Sequence, residues 1–563
     1  MSYQIIDGFP STSGDNYQLN TISIIRNAAR TFPDVEIVSR IKDGINFRYN
    51  YQKAYDRIGK LANALKKLGI KPGDRVGVME WNTHRHFELY FAISGLGAVM
   101  LQLNLRLSQV DLAYVVNHSE AKAIFVDESL IPVFQSVADQ VKTVELYIVM
   151  TDKRLDEVKT ALKPVHSYEE LLEKEDAHYD WPMINEKSAY SACYTSGTTG
   201  KPKGVYYSHR CIYLHTMAIA MMVGLNLNDV ILQGVPMFHA QGWGLWLVGP
   251  MVGAKLVFPG RFTVETTNIL VDLMISEKVT FSCGAPALLI PMLEYIRTLP
   301  EKPDFTGLRI ISGATEPPLS VLRGYWDLGK AVVMHAYGST ETTPLALINH
   351  FKPTIKGWSK EQEWENQRKQ GLPLAALDIK IVGVDGREVP PDGQTVGELL
   401  VRGPWIASSY YNDSRTEECF VDGYWASGDA GTIDKNGYVK ITDRLKDVIK
   451  SGGEWISTID LENSIMCHDG VFEAAVIGVP HPKWQERPLA LVVLRNDARG
   501  KVTRDAILDC VRGKFAKWQL PEIIFVDEIA KTSVGKFDKK TARSQYIDYF
   551  ATERDSAIQH QSP

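Results

Sequence analysis

Apolar and polar residues follow two periods along the first part of the chain, one typical of helices and one of strands. "YQKAYDRIGKLANALKKLGI" (51–70) has apolar residues at helical spacing and ends near a glycine. "KPGDRVGVME" (71–80) predicts a turn and a buried strand, "FELYFAISGLGAVMLQLN" (87–104) a helix leading into a strand, and "AKAIFVDE" (121–128) a further strand. Because strands alternate with helices, we expect parallel sheets that are covered by helices on both faces.

The pattern changes after about residue 371. "LDIKIVGVDGREVPPDGQTVGELLVRG" (377–403) contains D-G twice and alternates as strands do, which predicts a small antiparallel unit. Beyond Arg444, two helical patterns, "STIDLENSIM" and "TRDAILDCVRGKF", lie among the strand patterns "EAAVIGVP" and "LALVVLR". We therefore predict two domains, residues 1–443 and a small α+β domain at 444–563.

Charge and cysteine content narrow the class of protein. A net charge of −5 over 563 residues gives no positive surface excess for a nucleic acid. No apolar run approaches the roughly 20 residues that a membrane span needs. The six cysteines lack paired spacing, which favours free thiols over a disulfide framework or a zinc site. We expect a cytoplasmic protein without an integral membrane segment or a nucleic-acid partner.

The stretch "YTSGTTGKPKGV" (194–205) has the composition of a phosphate-binding loop. Glycine frees the backbone, hydroxyl groups donate hydrogen bonds and lysine adds positive charge. It is not a Walker A loop, because Pro202 follows Lys201 where that motif needs serine or threonine. By composition alone, a phosphate loop and a flexible surface loop are equally supported.

Three further stretches accompany this loop in a fixed order. They are "YGSTETTP" (337–344), "ASGDAGTIDKNGYVKITDRLKDVIKSGGEWIS" (426–457) and "KTSVGKFDKK" (531–540). Together with the loop they resemble the motifs of the adenylate-forming superfamily of acyl-CoA synthetases, luciferases and peptide-synthetase adenylation domains. One such motif would be weak support, but several in order span most of the chain.

The resemblance implies a fold and a reaction. The fold is α/β: a large N-terminal part of several subdomains with αβαβα-layered sheets and a small β unit, followed by a small mobile α+β domain. A carboxylate would attack the α-phosphate of ATP to give acyl-AMP and pyrophosphate, and CoA would then give acyl-CoA and AMP. The implied small molecules are a carboxylic acid, ATP, Mg²⁺ and CoA. Because two anions must meet, cations and hydrogen-bond donors have to surround them beforehand.

The resemblance also assigns residues to ATP. The β- and γ-phosphates would bind to Thr195, Ser196, Gly197, Thr198, Thr199, Gly200 and Lys201. The rest of the nucleotide would contact Gly313, Ala314, Thr315, His335, Ala336, Tyr337, Gly338, Asp429, Arg444, Lys450 and Trp455. Of these, Gly313, Ala314 and Thr315 would run beside the adenine or the acyl group. Tyr337 offers adenine a flat face, and Asp429 can accept both ribose hydroxyl groups. Without the motifs, a core aromatic would be the better interpretation of Tyr337, and a turn aspartate a common one of Asp429.

The predicted catalytic residues are Lys536, Thr340 and Glu341. Lys536 would bridge the attacking carboxylate and the α-phosphate, and Thr340 would donate to that phosphate. Thr195 and Glu341 would bind Mg²⁺, since a carboxylate is a hard oxygen ligand; a solvated carboxylate at a helix N-terminus is the alternative for Glu341.

The resemblance assigns the remaining roles to the linker and to the tail domain. Lys446 would be the hinge about which that domain rotates. Gly452 and Gly453 would let the pantetheine arm of CoA pass.

The acid itself is predicted from "PMFHAQGWGLW" (236–246). His239, Trp243 and Gly338 are the predicted acyl-binding residues, with Trp243 as a gate or, alternatively, a core aromatic. An apolar wall favours a medium- or long-chain fatty acid; an aryl or short-chain acid is the alternative. The stretch has no acid for a substrate amine, which disfavours a peptide synthetase, whereas an oxidative luciferase or an inactive binding module stays open. Some fatty-acyl relatives form homodimers, so a homodimer is a further expectation.

Overall fold

A computed structural model describes residues 5–14, 16–42, 45–195, 201–383, 385–445, 447–451, 454–531 and 537–551. Its strands belong to four sheets. In chain order they are β1 Glu36–Lys42, β2 Ile45–Asn50, β3 Arg75–Met79, β4 Val99–Gln102, β5 Ala121–Asp127, β6 Leu146–Met150, β7 Val165–Ser167, β8 Ala189–Tyr194, β9 Gly204–Ser208, β10 Val230–Leu232, β11 Lys255–Phe258, β12 Phe281–Gly284, β13 Arg309–Ser312, β14 Val332–Gly338, β15 Leu345–Ile348, β16 Leu372–Pro373, β17 Asp378–Val382, β18 Gly397–Arg402, β19 Phe420–Val421, β20 Tyr424–Ile433, β21 Val439–Arg444, β22 Ile449–Ser451, β23 Glu454–Ile456, β24 Val471–His481, β25 Gln485–Leu494 and β26 Glu522–Phe525.

The α-helices lie between these strands. In chain order they are α1 Ile22–Thr31, α2 Tyr51–Lys67, α3 His84–Gly95, α4 Gln109–His118, α5 Ile131–Gln135, α6 Tyr168–Glu173, α7 His209–Val223, α8 Leu245–Val252, α9 Asn268–Ser276, α10 Pro286–Thr298, α11 Leu319–Gly329, α12 Lys360–Gln367, α13 Thr416–Cys419, α14 Thr458–Ile465, α15 Arg504–Val511 and α16 Lys539–Gln545. Within the described ranges, no helix is both long and apolar enough to cross a bilayer.

Two large sheets form the layers of the N-terminal part. The seven-stranded sheet has the order β7-β6-β5-β3-β4-β8-β9, and the nine-stranded sheet has the order β16-β15-β14-β13-β12-β10-β11-β1-β2. The main core lies between them, around α1, α2, α3, α7 and α8. α4 and α5 cover the outer face of the first sheet, and α9 to α11 that of the second. The predicted αβαβα layering is therefore confirmed.

The predicted elements form because one face of each is apolar. In α2, Asn50 caps the N-terminus by accepting from the Lys53 N–H, and Leu61 and Leu65 are buried in the core. The strand predicted in 71–80 is β3, which pairs in parallel with β4 and β5 and is buried on both faces. Antiparallel strands occur at the sheet edges, where β9 pairs with β8 and β2 pairs with β1.

The small antiparallel unit is also present. β17, β18, β20 and β19 form this sheet, and β21 adds to β20. The C-terminal sheet has the order β23-β22-β25-β24 with β26 on β25; α14 and α15 pack on one face and α16 on the other. The α/β class with a small α+β tail is thus confirmed, whereas the division at 443/444 stays a prediction.

The tail contacts the rest of the molecule through the first turns of α14. Ser457 caps this helix by accepting from the Asp460 N–H, and the Asp460 carboxylate pairs with Lys440 on β21 at 2.6 Å. The backbone N–H of Thr458 donates to Asp443 Oδ2 at 2.9 Å. These contacts fix α14 beside the strand that precedes the linker.

Candidate active site

Strands β8 and β9 present the ends of the predicted phosphate loop. The Thr195 N–H donates to the Lys203 carbonyl at 2.9 Å, and the Lys203 N–H donates to Thr195 Oγ1 at 3.2 Å. The Lys201 ammonium is exposed and lies 4.9 Å from the ring centre of Tyr114. Ser196, Gly197, Thr198, Thr199 and Gly200 lie outside the described residues.

Tyr410 joins this loop to the second motif. Its ring lies 3.9 Å below the Lys203 ammonium, a cation–π contact. Its hydroxyl donates to Glu341 Oε1 at 2.6 Å. Burial and the Glu341 carboxylate raise the pKa of Tyr410 far above its ordinary value, so the hydroxyl stays a donor. A cation of the loop and the predicted metal ligand are thus linked by one side chain.

Glu341 is a buried carboxylate that two side chains orient. Besides Tyr410, the Ser339 hydroxyl donates to Glu341 Oε2 at 2.5 Å and accepts from the Glu341 N–H at 3.0 Å. The carbonyl of the neighbouring Thr340 accepts from the Tyr207 hydroxyl at 2.7 Å. This turn is therefore held on both sides.

The Glu341 carboxylate can supply a single protein ligand to Mg²⁺. Two of its about four lone-pair sites are used, which leaves sites for a cation. Among the described residues, no three His, Cys, Asp or Glu side chains form a metal cluster. A single carboxylate suits Mg²⁺, which takes the rest of its ligands from phosphate oxygens and water. Mg²⁺ bound there would offset phosphate charge.

The predicted nucleotide residues Tyr337, Asp429 and Arg444 meet at the edge of the small β unit. The Tyr337 hydroxyl donates to Asp429 Oδ2 at 2.5 Å, and Arg444 Nε lies 2.7 Å from Asp429 Oδ1. The Asp429 carboxylate raises the pKa of Arg444. Burial, and then the charge of Asp429, raise the pKa of Tyr337 well above its ordinary value. Asp429 therefore lies between a hydroxyl donor and a guanidinium cation, and its remaining lone pairs suit ribose hydroxyl groups.

The loop after β13 packs against β14 and against Trp243. A Cβ built on Gly313 would lie 3.0 Å from the Ala336 carbonyl and 3.0 Å from the Trp243 indole. Ala314, in the left-handed region at φ 72°, is exposed, as is Thr315. A Cβ on Gly338 would lie 2.0 Å from the Pro344 carbonyl, so only glycine fits there. The predicted nucleotide and acyl residues are thus neighbours.

Trp243 lies on an unusual left-handed turn, residues 240–244. The φ angles are 36° at Ala240, 50° at Gln241, 56° at Gly242, 60° at Trp243 and 77° at Gly244. Each non-glycine residue in this region costs about 1–3 kcal/mol, and such residues persist only where their surroundings enforce them. The turn is followed directly by α8.

Two of the predicted binding residues are histidines, His335 for the nucleotide and His239 for the acid. His335 is buried, and its Nδ1 lies 2.6 Å from the Arg368 carbonyl. Burial lowers the pKa of His335 to about 4, so its imidazole is neutral. His239 directly precedes the left-handed turn, and its carbonyl accepts from the Gly242 N–H at 2.9 Å.

Several predicted residues fall outside the described ones. These are Lys446, Gly452, Gly453 and Lys536. The backbone of Lys450 on β22 pairs with that of Trp455 on β23, but their side chains are not described.

The sequence interpretation missed Tyr410, Tyr207 and Ser339. Ser339 lies inside "YGSTE" and was available as a neighbour of Glu341. Tyr207 follows the phosphate loop on β9, where alternation alone marks it as buried. Tyr410 lies in "SSYYND" (408–413), which has no pattern that distinguishes it from Tyr411.

Comparison with known proteins identifies the family. A family model described as AMP-binding enzyme matches residues 25–411, and one described as AMP-binding enzyme C-terminal domain matches residues 460–536. The long-chain-fatty-acid–CoA ligase of Thermus thermophilus is 40% identical over 98% of this chain and 99% of its own. A 3-methylmercaptopropionyl-CoA ligase of Ruegeria lacuscaerulensis is 38% identical over 93% and 97%.

A solved structure supports the fold. That of an anthranilate CoA ligase in complex with anthranoyl-AMP has a TM-score of 0.83 at 22% identity, over 94% of this chain and 97% of that one. Together with the matches along the sequence, it accounts for the layers and the small tail. The chain belongs to the AMP-binding enzyme family, and within it to the acyl-CoA synthetases, which are acid–thiol ligases that use ATP, Mg²⁺ and CoA.

Proposed function

We propose that this acyl-CoA ligase acts on a medium- or long-chain fatty acid. A carboxylate oxygen of the acid attacks the α-phosphorus of ATP, and the bond to the β-phosphate breaks, which gives acyl-AMP and pyrophosphate. The thiolate of CoA then attacks the acyl carbonyl carbon, and AMP leaves. AMP is a good leaving group, so the second step needs little further activation.

One observation carries the choice of acid. The Trp243 indole packs against Gly313, so a buried apolar wall lies beside a loop that is predicted to line the acyl group. Phe238 and Trp246 are buried along the same stretch. An apolar wall with few polar groups suits an alkyl chain. The long-chain specificity named for the Thermus thermophilus relative is consistent with this choice.

Different residues of the chain serve the different steps of the reaction. Lys201 and the neighbouring loop hydroxyl groups bind the outgoing phosphates, and Asp429 orients the ribose. Thr340 donates to the α-phosphate, and Lys536 steadies the charge that develops as the two anions meet. Rotation of the tail about Lys446 then exchanges Lys536 for the glycine loop 452–453, along which CoA enters.

The cysteines support a reducing compartment. All six are free thiols, and burial raises the pKa of Cys193 and of Cys283 to about 12, so both stay protonated and inert. We therefore propose the cytoplasm as the location. A homodimer stays a prediction.

A panel of acids tests the proposal. Purified protein is supplied with ATP, Mg²⁺, CoA and one of butanoate, octanoate, hexadecanoate or benzoate, and AMP release is followed. We expect kcat/KM to rise with alkyl length, because each added methylene group that is buried contributes about 0.8 kcal/mol. Without CoA, acyl-AMP and pyrophosphate are the expected products.

Two other results would contradict the choice of acid. A preference for benzoate or butanoate would identify an aryl- or short-chain-acid CoA ligase. The 38% identical 3-methylmercaptopropionyl-CoA ligase is a relative named for such a small acid. No AMP release with any acid would indicate a protein that has the fold of the family but no catalytic activity.

A further inference from the structure

The left-handed turn 240–244 needs partners that hold it, because its backbone is unfavourable without them. Trp243 is one of the residues of this turn, so the position of its indole against Gly313 depends on the backbone angles of the turn. The hydrogen bonds that the turn receives from other side chains therefore bear on the acyl wall.

Gln233 provides one of these hydrogen bonds from inside the core. It is fully buried just after β10, and its Nε2 donates to the Gly242 carbonyl at 2.8 Å and to the Val235 carbonyl at 2.8 Å. Two carbonyl acceptors fix which end of the amide is nitrogen. A Cβ built on Gly242 would lie 2.7 Å from this nitrogen, so the amide and the turn are in close contact.

The neighbouring carbonyl of the turn is held as well. Trp246 Nε1 donates to the Gln241 carbonyl at 2.9 Å, and the Ser191 hydroxyl donates to the Gln241 side chain at 2.8 Å. Asn82 holds the segment that leads into the turn, since its Nδ2 donates to the Gln233 and Val235 carbonyls, both at 2.9 Å. Gln233 is therefore the link between this fixed segment and the carbonyl next to Trp243.

We propose that Gln233 is a positioning residue that sets the acyl selectivity of the enzyme. Its amide clamps the left-handed turn and so keeps Trp243 against Gly313, which limits the size of acid that fits beside the nucleotide loop. The inference rests on the proposed function, because it assigns Trp243 to the acyl wall.

Loss of the hydrogen bond from Gln233 to the Gly242 carbonyl should change acyl selectivity in one direction. Without the donor, the Gly242 carbonyl loses a buried partner and the non-glycine residues of the turn move toward ordinary backbone angles. That movement takes the indole away from Gly313 and enlarges the space for the acid. Long acids then gain relative to short ones, whereas the predicted phosphate and ribose contacts of ATP lie away from the turn, so the KM for ATP stays the same.

Two variants and a matched control test this. Gln233→Met has nearly the same volume but no donor, and Gln233→Asn keeps an amide that is one methylene group too short to span both carbonyls. Ser282→Ala is the control, since Ser282 donates from the core to the Leu232 carbonyl at 3.1 Å, next to Gln233 but not to the turn. For each protein, kcat/KM is measured with butanoate and hexadecanoate, together with the KM for ATP and Tm.

We expect the hexadecanoate-to-butanoate ratio of kcat/KM to rise about ten-fold in Gln233→Met, and less in Gln233→Asn, with the KM for ATP unchanged. Ser282→Ala should keep the wild-type ratio. A wild-type ratio in either folded Gln233 variant, or the same rise in Ser282→Ala, would overturn the assignment. A wild-type enzyme that uses neither acid would overturn the proposed function and this inference with it.

Discussion

Tyr410 connects two sequence motifs that lie far apart in the chain. Its hydroxyl donates to Glu341, and its ring supports the Lys203 ammonium. The carboxylate is thereby held in one orientation while a positive charge stays close to it. A single aromatic residue can thus determine how well the predicted metal ligand and the phosphate loop are aligned.

Replacing Tyr410 with phenylalanine removes only the hydroxyl. We expect Tyr410→Phe to slow adenylation about 10- to 100-fold, because a hydrogen bond to a charged acceptor is worth about 1.5–3 kcal/mol. The Mg²⁺ concentration that gives half-maximal rate should also rise. Acid-dependent pyrophosphate release at several Mg²⁺ concentrations measures both effects.

Tyr411→Phe is the matched control for this change. Its ring packs on Tyr206 with centroids 4.6 Å apart, and Glu341 is paired with Tyr410 instead. We expect near wild-type rates. Equal rates in Tyr410→Phe and Tyr411→Phe would show that the hydroxyl group does not orient Glu341.

At the scale of elements, α14 meets the N-terminal part through Glu316. The Asn463 amide on α14 donates to Glu316 Oε1 at 2.9 Å, and Arg368 forms an ion pair with the same oxygen at 2.5 Å. Glu316 Oε2 is buried and has no hydrogen-bond partner among the described residues. Burial therefore outweighs the ion pair and raises the pKa of Glu316 from 4.5 to about 7.

The sign of the resulting pH dependence follows from this shift. The folded protein holds the Glu316 proton more tightly than the unfolded chain does. The contribution of this group to the free energy of unfolding is therefore complete below the ordinary pKa and is lost as pH rises through about 7. The amide that replaces the carboxyl group in Glu316→Gln cannot ionise. We therefore expect the Tm of Glu316→Gln, relative to wild type, to rise between about pH 5 and about pH 8.

Thermal unfolding across this pH range measures the effect. Arg368 loses its partner in Glu316→Gln at every pH, so the trend and not the absolute Tm carries the test. Glu365→Gln is the control, since Glu365 also pairs with Arg368, at 2.9 Å, but is exposed. A flat Tm difference in Glu316→Gln, or the same trend in Glu365→Gln, would contradict the prediction.

Elements with a simple period were predictable from the sequence. α2 and β3 formed as expected, because burial on one or both faces imposes the apolar pattern. The turn 240–244 was not, because its shape depends on hydrogen bonds from Gln233 and Trp246 that no local preference encodes. For the same reason, motif resemblance located Glu341 but could not supply Tyr410.

At the scale of the whole molecule, the small β unit and the tail sheet meet on either side of the linker. The small β unit ends with β21 at Arg444, and the tail sheet begins with β22 at Ile449, so the linker that contains Lys446 lies between them. Asp443 and Lys440 on one side contact Thr458 and Asp460 on the other. A change of arrangement would have to exchange these contacts, which makes α14 the element to follow during turnover.

We propose that the active site lets two anions react by surrounding them with hydrogen-bond donors and with a lysine, Lys536, that serves only the first step. The most direct test measures both half-reactions of Lys536→Ala: acid-dependent exchange of pyrophosphate into ATP, and thioester formation from supplied acyl-AMP and CoA. We predict that exchange falls at least about 100-fold while thioester formation stays within about ten-fold of wild type. Equal loss of both half-reactions, or exchange at the wild-type rate, would contradict the account.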